Sequence, residues 1–489
     1  MAIYAREVEA IGTEGESVLR FLPSLRTPLL LSGSLLIGFL IWNIPPSASL
    51  DVKGVQFLAT LAVGVVLWVG DVFDDYVVGM MLLMSWVVLG IVPSKLALSG
   101  FSHSSWFFVV AALGLGAAVG NSGLLHRLAM RVLNRIPLSC HKTHTFVLFV
   151  SGLLITPLLP TGKARAVIAL PVSQAIAKAT GFSDRSHGSA ALSLAALIGF
   201  SHMSFMFLTG GEFCLIGWNL LPVESKARFG WMDWFVAALP TGILVFLFVF
   251  LAIHFLFPLR PEDRIQEVAN APHPHLQNAE PLSPAEWIAM TVLALTLVGW
   301  LTKPWHCIDE TWVALGGLLA FLTTGGLDKK SFRDNLDWGL VIFFGIINSM
   351  AVISDHLKID RWLSGLLSPA LAYVSTTSVG FLLAVILIVC VTRVFLRKSP
   401  SIALMTLILV PVGHNLGIHP GVILLTILAA SECFFLPYQD GPYQLAYSST
   451  DGQAFSHAQA RKILAARFLA TTLAITLSVP YWKLLGLIQ

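Results

Sequence analysis

Two apolar segments of the chain each carry one acid beside residues that interrupt helices: FLTGGEFCLIGWN at 207–219 and FLPYQDGPYQLAY at 435–447. An offset of 228 lays Phe207 on Phe435, Leu208 on Leu436 and Glu212 on Asp440. Gly210, Gly211, Pro437, Gly441 and Pro442 would unwind a helix at these places, leaving carbonyls and half-helix ends to meet ions and anionic groups. An acid inside an apolar segment accepts a proton, ligates a cation or pairs with a fixed charge. Glu212 and Asp440, with Thr209 beside the first break, are therefore the expected ion-coupling residues. The plainer alternative is a carboxylate in a wet loop at a span end, where it is tolerated.

Ahead of each broken segment stands a tip rich in cations. Within 145–172, two apolar runs meet at Pro160, Thr161, Gly162, Lys163 and Arg165; within 378–412 the matching tip carries Arg397, Lys398, Pro400 and Ser401. Pro400 corresponds to Pro160, Ser401 to Thr161, and Pro411-Val412 to Pro171-Val172, 240 residues later. A span needs roughly 20 apolar residues, and about fifteen lie on each side of the first tip. Neither run is expected to cross a bilayer alone, so each pair reads as a re-entrant helical hairpin, over 145–176 and 378–412. A Lys or Arg at the bilayer centre costs about 2.5–3.5 kcal/mol on insertion scales, so these cations are expected to face protein or water. The alternative is a cytoplasmic loop between two buried segments. Thr161, Gly162, Lys163 and Arg165 in one tip, with Ser401, Arg397 and Lys398 in the other, form the expected substrate-binding set for a small anion. Broken apolar segments repeated in two halves are the sequence mark of a transporter site near the membrane midplane.

These tips need a membrane scaffold, and the composition supplies one. With 489 residues, 56% hydrophobic and only 12% charged, the chain has more apolar surface than a soluble core buries. The net charge of +3 is small and dispersed, which gives no nucleic-acid footprint. Five cysteines (Cys140, Cys214, Cys307, Cys390, Cys433) form no CxxC pair, which argues against a disulfide framework or a zinc site. Residues 1–26 lack the apolar core of a secretory signal and read as a cytoplasmic segment.

Apolar runs at 27–43, 55–70, 76–92, 105–122, 189–207 and 233–257 make a first membrane half over 27–257 with the hairpin 145–176. The charged, Pro-rich stretch 258–284 reads as a cytoplasmic linker, and its His273 and His275 as solvated residues. Runs at 285–302, 311–325, 338–354, 420–436 and 464–487 make a second half over 285–489 with the hairpin 378–412. The fold expectation is an all-α integral membrane protein of about eleven transmembrane helices plus two re-entrant hairpins. Threaded from a cytoplasmic N-terminus, the loops hold 17 Lys and Arg inside against 8 outside, the other 5 of the 30 lying in the hairpins. The C-terminus then falls outside, and the two halves form an inverted repeat. WFFVVAALGLGAAVGNSGLLHR from Trp106 parallels WGLVIFFGIINSMAVISDHLKIDR from Trp338 with two residues inserted.

With these elements in this order, the sequence resembles the divalent anion/sodium symporter family of the ion transporter superfamily, over nearly the whole chain. That family carries a Ser-Asn-Thr triplet at each hairpin tip, ten residues before a Pro, binding sodium and substrate carboxylate. Here those positions hold Thr161-Gly162-Lys163 and Ser401-Ile402-Ala403, so only the hydroxyl is kept. The family's glycine- and proline-rich break is replaced by Thr209-Gly210-Gly211-Glu212. A lysine ammonium can stand where a sodium ion's charge would otherwise be needed. The resemblance implies an inner-membrane transporter, an elevator-like movement of the hairpin-bearing part and a homodimer. The departures point to exchange or proton coupling rather than strict sodium coupling, with no cofactor.

Competing readings are a sodium-coupled dicarboxylate symporter, a cation/proton antiporter built on Glu212 and Asp440, and an anion channel. The chain has no HExxH, GxSxG or paired-acid motif, so it is not read as an enzyme. Gly162-Lys163 lacks the earlier Gly and following hydroxyl of a phosphate loop, Pro157 and Ala164 standing there. His202 and His414 titrate near neutral pH when exposed, but a lone His on an apolar face is more often a packing residue.

Overall fold

The computed structural model describes residues 27–47, 49–124, 127, 141–157, 159, 161–227, 229–260, 263, 281–359, 362, 365, 366 and 377–489. The N-terminal segment 1–26, most of the linker and Pro160 lie outside them. Among the described residues the regular elements are helices, apart from the single-pair bridges Ser47 to Leu50 and Ile418 to Ile488. In chain order the principal ones are α1 (Thr27–Trp42), α2 (Val52–Gly70), α3 (Asp75–Val88), α4 (Ser104–Ser122), α5 (His141–Ile155) and α6 (Gly162–Ala179). There follow α7 (His187–Ser201), α8 (Glu212–Asn219), α9 (Trp231–Leu256), α10 (Pro284–Leu301), α11 (Glu310–Thr324) and α12 (Trp338–His356). The chain ends with α13 (Ser378–Phe395), α14 (Lys398–Asn415), α15 (Pro420–Ser431), α16 (Gly441–Ser449) and α17 (His457–Leu484).

Every one of the eleven apolar runs is helical. Eight helices among the described residues are long and apolar enough to cross a membrane. Seven of them arise from those runs, and the other four runs form the shorter helices α1, α3, α11 and α15. The eighth long helix corrects the length argument for the second tip. Its first arm, α13, has 18 residues and a mean hydropathy of 2.5, enough to span alone. It begins at the expected residue 378, where Thr377 caps it, accepting the Gly380 N–H at 3.1 Å.

The helix starts follow their side chains. Asp51 accepts the Gly54 N–H at 2.7 Å to open α2, and Ser283 with Glu286 forms a capping box on α10, where Arg127 also bonds Glu286. Ser456 and Gln459 do the same for α17. Capping side chains therefore fix where these three helices begin.

Two compact units emerge, and they cut across the two halves of the sequence. One consists of the described parts of Met1–Phe101 and Ile342–Trp362. In it Trp86 donates to Thr60 Oγ1 at 3.1 Å, Trp68 meets Phe343 edge-on, and the Gly100 N–H donates to Ser349 Oγ at 3.0 Å. The other, Ser102–Val341 with Leu363–Gln489, contains both tips and both broken segments. At its centre lie α7 and α15, the helices that follow the two tip pairs, and every residue of α15 is buried. Both are apolar on all sides, the pattern of a helix surrounded by protein. Around them α9 and α17 pack lengthwise, tied by Trp482 Nε1–H to the Ala237 carbonyl at 2.8 Å and by Thr241 and Ser478 hydroxyls 2.8 Å apart. Leu251, Phe255, Leu387, Leu473 and Leu477 point outward and exposed, as on a lipid-facing surface.

Helix α5 reaches α7 through small residues. A Cβ on Gly199 would fall 2.6 Å from Phe149 Cα, and one on Gly152 would meet the Gly199 backbone. Close backbone approach of this kind drives helix association where no hydrophobic effect separates helix from lipid. We expect Gly199→Leu to cost at least the ~1–3 kcal/mol of an overpacked core, seen as a lowered melting temperature in detergent. Gly316→Ala, which meets nothing within 4 Å, should leave that temperature unchanged.

Candidate functional site

The first tip closes between α5 and α6. Thr161 is extended, half-buried, and directly precedes α6, whose first residue Gly162 is buried. The Ser201 hydroxyl donates to the Gly162 carbonyl at 2.9 Å, fixing the tip to the end of α7. The second tip is the short turn between α13 and α14, with Arg397 exposed and Ser401 fully buried. Ser401 Oγ has no hydrogen-bond partner among the described residues.

Each tip docks on the broken segment of the other repeat. Arm α6 packs against α16, and arm α14 packs against α8. At the first junction a Cβ on Gly441 would sit 2.5 Å from Lys163 Cε and 3.5 Å from its Nζ. The exposed Lys163 thus lies over the start of α16, and its ammonium bonds no described residue. At the second junction Lys398 Nζ is 2.8 Å from Glu432 Oε2 and 4.1 Å from the centroid of the Phe213 ring. Phe213 follows Glu212 in the first turn of α8, so Lys398 stands beside that helix start in turn.

The two acids differ in their surroundings. Glu212 opens α8, and its Oε2 is buried without a partner, with Lys398, Arg165 and Lys163 as the cations that act on it. Asp440 caps α16 by accepting the Tyr443 N–H at 2.8 Å, and its Oδ1 lies 3.1 Å from His202 Nε2. That imidazole is stacked on Phe434, with centroids 5.5 Å apart and planes at 28°. His202 thus combines the packing role expected of it with a charged partner from the other repeat. The Thr209 hydroxyl donates to the Pro157 carbonyl and accepts from Trp231 Nε1 rather than bonding either acid.

Arg165 is fully buried and turned inward. Its guanidinium donates to the carbonyls of Thr156, Leu159, Phe200 and Gly210 and to Ser204 Oγ. Thr156 and Leu159 follow the end of α5, Phe200 lies in the last turn of α7, and Gly210 stands where the first segment unwinds. Arg393 does the same for the second repeat, donating to Leu396 and Gln439 carbonyls while Gln439 returns a bond to the Arg393 carbonyl at 2.9 Å. Arg467 of α17 donates to the His202 carbonyl. Beyond α8, Lys226 closes the helix by donating to the Asn219 carbonyl at 3.0 Å, and burial pushes its pKa down to about 8.

Glu432, Ser204 and Arg393 take part in the site without standing among the expected residues. The 228 offset that pairs Glu212 with Asp440 also pairs Ser204 with Glu432, so the two anchor positions were findable from the repeat. The bonding of the arginines to backbone carbonyls was not, since no sequence pattern marks those acceptors.

A family model described as the sodium:sulfate symporter transmembrane region matches residues 27–488. The chain belongs to this family. It is a multi-pass membrane transporter and not an enzyme. Among curated relatives, the L-tartrate/succinate antiporter of Escherichia coli is 25% identical over 316 residues, 62% of this chain and 63% of its own length. A membrane protein of Cupriavidus necator is 24% identical over 65% of this chain and 66% of its own, so these alignments take in about two thirds of each relative. An uncharacterized transporter of Haemophilus influenzae is 23% identical over 85% of this chain and 89% of its own. Among solved structures, the Alcanivorax borkumensis YdaH transporter covers 95% of this chain and 98% of its own at a TM-score of 0.55 and 15% identity. The Neisseria gonorrhoeae MtrF pump covers 94% of both at 0.56 and 15%. At that identity the likeness is one of fold for this sodium:sulfate symporter family member.

The bonding of Arg165 makes a test that separates scaffold from ligand. Arg165→Lys keeps the charge but replaces a planar five-donor group with a point cation, orphaning buried carbonyls at about 1–3 kcal/mol each. We expect both Arg165→Lys and Arg165→Gln to lower the melting temperature and the yield of monodisperse protein. A variant that melts like the wild type but loses anion binding would make Arg165 a substrate ligand instead.

Proposed function

We propose that the protein is a secondary transporter of a small, multiply charged anion of the di- or tricarboxylate class, with sulfate and sulfonates as neighbouring substrates. It works in the inner membrane by exchange or with protons rather than strictly with sodium. The observation that carries this reading is the Lys163 ammonium, unbonded among the described residues, over the start of α16. A free cation at a helix N-terminus is anion-binding chemistry, because the backbone N–H groups and the dipole add to the fixed charge. Thr161 supplies a hydroxyl beside it, and Arg397, Lys398 and Ser401 form the second tip, for the far end of a dianion. Arg165 then serves by holding the tip in shape. Glu212 and Asp440 are the coupling acids.

In this reading the tip pairs re-enter the membrane from opposite faces, the N-terminus is cytoplasmic and the C-terminus external. The hairpin-bearing part moves like an elevator in a homodimer. The name of the tartrate/succinate relative supports exchange of dicarboxylates. The family description names sodium, which favours sodium-coupled symport as the second reading.

Liposomes preloaded with succinate and assayed against dicarboxylates, sulfate and sulfonates separate the two. We expect exchange in sodium-free buffer. Lys163→Thr should abolish it or make it sodium-dependent, and Lys163→Arg should only weaken it, the charge surviving in the wrong shape. A wild type that requires sodium, or Lys163→Thr exchanging normally without it, would return Lys163 to the role of a snorkelling surface residue.

Sidedness has its own check. Single cysteines at Ser183 and at Ser375, the latter outside the described residues, should label from the cytoplasmic and the external side respectively. Labelling of both from one side would remove the inverted topology.

A further inference from the structure

The contact between His202 and Asp440 has a hydrogen-bond count that a neutral imidazole beside a carboxylate cannot meet. His202 Nδ1 lies 3.2 Å from the Leu197 carbonyl oxygen, an atom that only accepts. Its Nε2 lies 3.1 Å from Asp440 Oδ1, which already accepts the Tyr443 N–H. Neutral imidazole has one N–H, and the Leu197 carbonyl takes it. The second contact needs another hydrogen, either on Nε2 facing a carboxylate or on the carboxyl oxygen facing a bare Nε2. The two side chains are only 1% and 2% exposed, so bulk water does not supply that bond.

We propose that His202 and Asp440 together form a proton-binding site that couples one proton to the transport cycle. The inference rests on the transporter reading above and adds the identity of the coupling ion and its seat. With the proton bound, the end of α7 and the start of α16 are held together. When it leaves to water, the Nε2 lone pair and the carboxylate face each other as two acceptors and the contact opens. Asp440 caps α16, against which the Lys163 side chain lies, so opening shifts the floor of the anion site. No bond other than the N–H or O–H of the pair is made or broken, and the proton is the whole of the exchange.

The charges around the pair come from every neighbouring element. Arg467 of α17 bonds the His202 carbonyl, and Lys398 of α14 and Arg393 of α13 act on Asp440. Lys163 of α6 lies at Gly441, Glu432 neutralises Lys398, Cys433 stands beside Thr471, and the Tyr443 phenol is turned to His457 at 2.6 Å. The contact needs one hydrogen shared between Nε2 and Oδ1, so the proton belongs to the pair rather than to either residue and is shed when the pair separates.

The test uses full-length protein in liposomes, with labelled succinate counterflow measured at equal pH on both sides and, in separate liposomes holding no succinate, a trapped pH dye reading proton movement on succinate addition. Wild type should move protons with succinate and show a single-proton step in the pH profile of counterflow. Asp440→Asn and His202→Gln should reduce the succinate-linked proton signal at least tenfold and flatten the profile of whatever counterflow remains. Net succinate uptake without proton movement, wild-type counterflow without the pH step, or variants that retain both the signal and the step, would overturn the proposal. If wild type fails to exchange succinate, the transport reading has failed, and the pair is judged on substrate-free protein. Infrared difference spectra between neutral and alkaline pH should then carry an ionising His–Asp signature that both variants lack, and spectra identical in all three would overturn it.

Discussion

A helix that stops inside a membrane-embedded protein leaves carbonyls with no water to bond, and this chain meets the problem with buried arginine. Arg165 gathers carbonyls from the end of α5, from α7 and from the first break, and Arg393 joins the end of α13 to the second break. Arginine suits the task because its five donors lie in a fixed plane and its charge persists when desolvated. An unpaired carbonyl in hydrocarbon costs several kcal/mol, so several carbonyl dipoles around one guanidinium relieve both the orphaned acceptors and the buried cation. The shape of each tip depends on that exchange.

The tips in turn depend on each other's repeat. Because α6 leans on α16 and α14 leans on α8, each broken helix packs against the other repeat's hairpin, while Arg165 and Arg393 bond the break of their own. Gly162 and Gly441 permit the first of these approaches, each facing the other tip's neighbour at contact distance. Lys398 builds the second through Glu432 and the Phe213 ring. A displacement at one tip is thereby felt at the start of the opposite helix, which is where an anion would lie. Two packed arrangements of such an interlocked pair, rather than a continuous slide, are what close-packed interiors favour.

Much of this was legible from the sequence because it rests on period and punctuation. The apolar runs became helices, and the breaks came where Gly and Pro stand, at Gly210-Gly211 and at Pro437 and Gly441. The 228 offset matched residues that occupy like places, Glu212 opening α8 and Asp440 capping α16, whereas the 240 offset sets Thr161, the residue before α6, on Ser401, the fourth residue of α14. What stayed hidden was direction. Whether a cation at a tip faces outward, as Lys163 does, or folds back onto carbonyls, as Arg165 does two residues later, is decided by helical phase and by acceptors distant in sequence. The same holds for His202, whose partner Asp440 is 238 residues away. The compact units also escaped the sequence, since the segment Ile342–Trp362 joins the first hundred residues through side-chain packing that no linker composition announces.

Neither repeat is fully satisfied internally, and that bears on motion. Ser401 Oγ, Thr406 Oγ1, Arg393 Nε and two nitrogens of Arg467 in the second repeat, with Glu212 Oε2 and Asn219 Oδ1 in the first, are buried without partners among the described residues. Unmade bonds of this kind each raise the energy of the arrangement by about 1–3 kcal/mol. A transporter whose closed form satisfied every donor would sit in a deep well and turn over slowly, whereas one that keeps several donors unmatched holds its closed form shallow. Arg165 and Arg393 meanwhile hold the backbone of each break through its own carbonyls. Rigidity thus comes from the arginines on the main chain in both copies of the motif, and the open bonds lie on the side chains around them.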